Sequence, residues 1–311
     1  MQKSSSEVAQ KPTDPTNPKL DKEQRKGKSP FQLAYRRFVK NRMAVVGLIL
    51  LTIIVLISVF APLLTSHDPL ESDMYNIEAP PSDEHILGTD DMGRDVYARL
   101  LYGGRISLLI GLLTMIFTVL IGAVLGAIAG YYGKWIDTLI MRFTDIMLTF
   151  PFLLFVLFLI SVLEETSVTV LIVALALTSW PTTARIVRGV FLSLREQEFV
   201  LSARAIGGSD SRLIFRHMIP NALAPIIVNA TLLMAVTISA ESALSFLGFG
   251  VPQPTPTWGN MLTNAMNIRV LSDQPWLWIP PGVMIVLAVL AINFIGDGLR
   301  DAFDTKMSDN K

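Results

Sequence analysis

The chain contains no cysteine and only three histidines in 311 residues. Without thiols there are no disulfides, no thiolate metal sites and no cysteine nucleophile. His67, His85 and His217 are scattered and make no ligand cluster, so each reads as a loop or surface imidazole rather than a metal ligand. Neither sign of charge is in excess. With 26 basic and 26 acidic residues the formal net charge is zero, and only the distribution of charge is informative. A phosphate loop, which needs a glycine-rich turn plus lysine as in G-x-x-x-x-G-K-[ST], is also missing. Gly27-Lys28-Ser29 has Lys22 where the first glycine belongs, and Gly133-Lys134 is followed by Trp135. Neither Gly-x-Ser-x-Gly nor His-Glu-x-x-His occurs, so an enzymatic reading of this chain is weak. No cofactor, resident metal or nucleic acid is expected.

What the chain does hold is apolar residues, 51% of the total, gathered into blocks rather than scattered. The blocks run to roughly 17–25 residues, the length that crosses a hydrocarbon core of about 30 Å. The chain reads as an all-α integral membrane protein. Six spans are predicted: Ala44–Leu64, Ser107–Gly130, Ile146–Leu163, Val168–Ala184, Ala222–Gly248 and Trp276–Gly296. The first follows some forty polar residues with no small-residue cleavage pattern after it, so it reads as an uncleaved transmembrane helix rather than a signal peptide. Residues 1–28 are nearly devoid of large apolar groups and are expected to form a disordered tail. Ser29-Pro30 is a helix start. Phe31, Tyr35, Phe38 and Val39 then recur at helical spacing opposite Arg36, Arg37, Lys40 and Arg42, which predicts a juxtamembrane amphipathic helix over residues 29–43 lying on lipid. The remaining divisions are a loop at 65–102, a core of five spans at 103–301 and a short tail at 302–311.

Lys and Arg set the orientation. Eleven precede the first span, and six lie between Arg185 and Arg216. The opposite connections carry Arg94, Arg99 and Arg105 in the long first loop, none at Glu164–Ser167, and Arg269 in the fifth. Both termini and the 185–216 connection are therefore expected in the cytoplasm, with the first loop outside.

The segment Glu196–Asn221 is long and polar for a cytoplasmic connection. Glu196 to Ile206 contains good helix formers, and Gly207-Gly208 offers a left-handed helix end. Ser209 or Asp210 can cap a second helix, and Pro220 is expected to end it near His217–Ile219. Ala203 and Gly207, four apart, leave a flat strip flanked by Arg204, Arg212 and Arg216. Of the charges near or within spans, Asp145 reads as a structural partner of Arg142 one turn earlier. Glu241 reads two ways: as a carboxylate attracting a peptide's ammonium group in the translocation pathway, or as a structural acceptor for Ser or Thr on a neighbouring helix.

Ala203, Gly207 and the "HMIPN" ending at Pro220-Asn221 resemble the cytoplasmic "EAA" loop of ABC importer permeases, with Leu201 where that family has Glu. "HILGTDDMGRDVYARLLYGGRISL" (His85–Leu108) is similar to the sequence entering the second span in the dipeptide and oligopeptide permeases, and "RRFVKNRMAVVG" (Arg36–Gly47) to the start of their C-type subunits. "ESALSFLGFG" and "NFIGDGLRDAFD" fit as well. The resemblance implies the type I ABC importer permease architecture with six transmembrane helices, in the cell membrane of a prokaryote. It implies half of a translocation pathway for peptides, with ATP hydrolysed on another chain. The expected partners are a second homologous permease, two ATP-binding subunits and an extracytoplasmic substrate-binding protein. Ala203, Arg204, Gly207, Gly208, Arg212, Arg216 and Pro220 would then belong to the coupling contact with the ATPase. A permease for nickel, opines or another small solute is the alternative within the class, and an ion-coupled secondary transporter the alternative outside it.

Overall fold

A computed structural model describes residues 30–162 and 167–303. The predicted tail 1–28, most of the Glu164–Ser167 connection and most of the C-terminal tail lie outside the described residues. Among the described residues all regular structure is helical. Helix α1 is Pro30–Lys40 and α2 Arg42–Val59, followed by α3 (Val96–Tyr132), α4 (Lys134–Thr149), α5 (Phe152–Val162) and α6 (Val168–Arg195). After these come α7 (Glu198–Ala205), α8 (Ile219–Phe246) and α9 (Ile279–Phe303), with short helical turns between α8 and α9. Five of these helices are long and apolar enough to cross a membrane, and a sixth crossing is reached if α4 and α5 are taken as one span.

The predicted third span, Ile146–Leu163, is not one straight helix. The α4–α5 pair is bent by 91°. The reason is local: Pro151 cannot donate to the helix ladder, and it forces the preceding Phe150 into an extended conformation (φ −77, ψ 132). The predicted pair within α4 also differs. Asp145 accepts from Arg185 Nη2 at 2.6 Å, across to α6, rather than from Arg142. A second bridge between the same helices joins Arg188 to Asp137.

Helix α3 begins at Val96, well before the predicted Ser107, because Asp95 caps it by accepting from the Ala98 N–H at 2.6 Å. Its 37 residues extend about 55 Å at 1.5 Å per residue, beyond the hydrocarbon core. The most extensive helix contact is between α3 and α6. Gly122, Gly126 and Gly130 recur every fourth residue on α3 and face Trp180 to Phe191 on α6. A Cβ at Gly126 would lie 2.4 Å from the Ala184 carbonyl oxygen and 2.9 Å from Val187 Cβ. Small residues at this spacing let two backbones approach, which is how helices associate where no hydrophobic force separates protein from lipid.

On α1, Ala34 is buried while Leu33, Tyr35 and Val39 remain exposed, leaving apolar surface alongside its basic residues. The Asn41 side chain caps α2 through the Met43 and Ala44 N–H groups and also donates to Asp301 near the end of α9.

The first loop is well packed. Gly93, in the left-handed region at φ +73, closes a turn in which Asp90 Oδ1 accepts from the Met92 and Arg94 N–H groups. Arg94 and Arg99, both buried, converge on Asp90 Oδ2 at 2.8 and 3.4 Å and on Gln253 Oε1, each at 3.0 Å. Arg99 also donates to the Pro69 and Pro254 carbonyls. The Gly-Thr-Asp and Gly-Arg-Asp block thus ties the first loop to the loop between α8 and α9.

Candidate coupling site

The segment after α6 forms a helical hairpin. On α7, Val200 is buried and Ala203 half-buried, joining Tyr131, Phe191, Leu213 and Met218 in an apolar cluster beneath the hairpin. The opposite face is open: Leu201 is 44% exposed and Ile206, at the apex, 88%. The helix ends as its glycines require. Gly207 has φ +83 and donates to the Arg204 carbonyl at 3.0 Å, while Gly208 donates to the Ala203 carbonyl at 3.0 Å. This pair of bonds closes the orphan carbonyls of the last turn and needs a residue tolerant of positive φ. A Cβ at Gly207 would meet nothing within 4 Å, so the apex is free of neighbouring protein.

Beyond the apex the expected geometry changes. Ser209 occupies the cap position, but its side chain makes no capping bond. The short helix Asp210–Arg212 passes into a π-helical segment, Leu213–Met218, and directly into α8. Pro220 therefore does not end a helix; it lies in the first turn of α8. Proline removes one ladder donor, and the chain responds by widening: the Ile219 N–H reaches back to the Ile214 carbonyl. The Asn221 side chain donates to the His217 carbonyl at 2.6 Å. As a result a single helical rod of 37 residues, Asp210–Phe246, joins the hairpin to a membrane span.

The hairpin is also braced to α3. Tyr131 OH donates to Asp210 Oδ1 at 2.5 Å, and the Arg204 guanidinium lies 5.6 Å from the Tyr131 ring, within cation–π range. The Tyr131 carbonyl accepts from Arg195 at 3.4 Å. Nothing in the sequence pattern pointed to Tyr131, since the contact closes over a separation of 79 positions from Asp210. Arg212, Arg216 and Phe215 (68% exposed) complete the outward surface. Leu201, at the position where the resembled loop has Glu, presents apolar surface there.

Glu241 lies elsewhere, fully buried in α8. Its Oε1 accepts from Ser245 Oγ at 2.8 Å, and Ser107 Oγ on α3 stands 3.5 Å from Oε2. Ser107 Oγ also accepts from the Trp258 N–H at 3.1 Å. A cavity of about 370 Å³ opens between α4, α5, α6 and α8, lined by groups such as Phe155, Thr178, Thr182, Asn229 and Thr237; Ala240 lines it but Glu241 does not.

Residues 122–309 match the family described as the inner membrane component of binding-protein-dependent transport systems. Residues 29–81 match the N-terminal transmembrane domain of oligopeptide transport permease C. Similar proteins include the dipeptide transport system permease protein DppC of Alkalihalophilus pseudofirmus, 45% identical over 90% of this chain and 91% of that one. The oligopeptide transport system permease protein OppC of Bacillus subtilis is 40% identical over 92% and 93%. A putative peptide permease protein of Brucella suis is 44% identical over 89% and 91%. Among solved structures, a chain from inward-facing conformations of the MetNI methionine ABC transporter has a similar fold. Its TM-score is 0.54 at 19% identity, covering 66% of this chain and 96% of that one.

Proposed function

Because the chain belongs to the family of inner membrane components of binding-protein-dependent transport systems, we propose that it forms half of the translocation pathway of an ATP-driven peptide importer. It is a multi-pass plasma-membrane permease subunit of an ABC importer, a family in which a separate subunit hydrolyses ATP and a further partner binds substrate. Relatives at 40–45% identity named for dipeptides and oligopeptides favour peptides over nickel or opines, and the family displaces an ion-coupled secondary transporter.

The single observation that carries the mechanism is the open apex at Ile206-Gly207 on a rod that runs without interruption into a span. An ATP-binding subunit pressing on this apex would displace α8, and through Tyr131 also α3, around the cavity that α8 lines. A rigid connection of this kind converts motor closure into a change of access across the bundle. Ala203 supports the apex from within, Gly207 and Gly208 shape it, and Arg204, Arg212 and Arg216 flank it. The assembly takes a second, homologous permease, two ATP-binding subunits and an external binding protein. Both termini and the hairpin face the cytoplasm, with α1 on the lipid surface. Glu241 holds helices together rather than meeting substrate.

The complex copurified with this chain, reconstituted in proteoliposomes, tests the substrate. Labelled di- and oligopeptide should accumulate only with ATP. Accumulation of nickel but not of peptide would show the substrate assignment to be wrong.

A further inference from the structure

The three histidines are dispersed in sequence, but the fold brings two of them together in the first loop. His67 lies just after the helical turn Ala61–Leu64, and His85 lies beside Asp95, the cap of α3. The two imidazole rings are 4.9 Å apart between centroids. His85 Nδ1 is 2.9 Å from Asp95 Oδ2, and both residues are buried. One ligating atom from each of His67, His85 and Asp95 falls within 4.8 Å of the others. We propose that these three side chains form an extracytoplasmic binding site for one divalent transition-metal ion of the zinc type.

The tautomer of His67 supports this. Its Nε2 stands 3.0 Å from the Glu84 carbonyl oxygen, which can only accept, so Nε2 carries the proton and Nδ1 keeps the lone pair. An outer bond to a carbonyl is what orients a metal-bound imidazole and raises its basicity. Two imidazoles and one carboxylate suit zinc, with a position left for water. With zinc bonds of about 2.0–2.2 Å, tetrahedral ligands stand about 3.3–3.6 Å apart, so the His85–Asp95 pair at 2.9 Å would open slightly and the wider pairs, now within 4.8 Å, would close by up to about 1.5 Å.

The surroundings favour a cation. A cavity of about 280 Å³ adjoins the cluster, and Asp68, Glu71, Asp73 and Glu84 line it with neither lysine nor arginine among its lining residues. The Asp73 carboxyl is held below the ordinary carboxylate range by the Tyr75 N–H and then by the Asn76 side chain, so it stays ionised. Asp68, Glu71 and Glu84 are exposed and give the ion a path from solvent. An occupied site would fasten the end of the first span to the start of α3, since Asp95 already caps that helix.

The sequence makes the test clean, because the chain has no cysteine and only one other imidazole, His217 on the hairpin. Full-length protein without a histidine tag, in lipid nanodiscs and stripped by chelator, is titrated with Zn2+. One ion per chain is expected, with affinity falling by about tenfold or more in His67→Ala and in His85→Gln, and unchanged in His217→Ala. His67 is only half-buried, so its variant keeps the test valid if His85→Gln misfolds. Zn2+ should also raise the unfolding temperature of the wild type and not that of His67→Ala. Absence of saturable binding to the wild type, equal binding to His67→Ala, or binding that follows His217 would overturn the proposal.

Discussion

Replacing Gly207 with valine is expected to abolish ATP-driven uptake and copurification of the ATP-binding subunit while leaving a protein that inserts normally. The backbone at this position has φ +83, where a residue with a Cβ costs about 1–2 kcal/mol and a β-branched one more. That penalty falls on the turn alone, because no atom lies within 4 Å of the added Cβ. The three core clusters and the α3–α6 contact do not include Gly207, so the membrane bundle should survive. What changes is the apex, which loses the bond geometry linking Gly207 to Arg204 and Gly208 to Ala203 and gains bulk where the ATPase would press. Asparagine separates the two effects, since it tolerates the left-handed region better than valine. Gly207→Asn should restore the turn, and any docking still lost would measure the bulk alone. Uptake by Gly207→Val equal to that of wild type would remove the hairpin from the coupling path.

Gly126→Val should have the opposite profile: loss of the folded protein itself. The new side chain would start 2.4 Å from the Ala184 carbonyl and 3.0 Å from the Arg188 N–H nitrogen, which are backbone atoms and cannot rotate away. Overpacking a well-filled core costs about 1–3 kcal/mol, and here relief requires moving α3 and α6 apart along their shared length. Yield of monodisperse protein in detergent should fall severely, and the unfolding temperature of what remains should drop. Gly189→Ala, whose Cβ meets nothing within 4 Å, is the control and should behave as wild type. Normal yield and stability in Gly126→Val would mean that α3 and α6 do not pack this closely.

These two glycines also mark what could be read from the sequence. The apolar blocks were legible because a span is defined by length and hydropathy, properties of a continuous segment. Gly207 was legible for the same reason: a helix end is local, and its left-handed glycine follows helix formers directly. The bend in the third span was not legible, because hydropathy continues across Pro151 while the backbone turns by 91°. Pro220 was misjudged in the other direction, since proline ends many helices but here falls in the first turn of α8 after a π segment that absorbs the disruption. Contacts between distant residues left no local trace. Tyr131 with Asp210, Arg99 with Gln253, Asp145 with Arg185 and His67 with His85 each require the fold to bring them together. Glu241 shows the intermediate case: a carboxylate in a span could be recognised as costly, but only its serine partners show where it points.

The central claim is that the Ile206-Gly207 apex meets an ATP-binding subunit, and one cross-linking measurement addresses it directly. Ile206 is 88% exposed and the chain has no cysteine, so Ile206→Cys carries a unique thiol at the apex. Labelled there with a short photoreactive maleimide and irradiated in membranes containing the whole complex, it should yield an adduct with the ATP-binding subunit. Labelling that succeeds without any such adduct, or a thiol reached only from the extracytoplasmic side, would contradict the account.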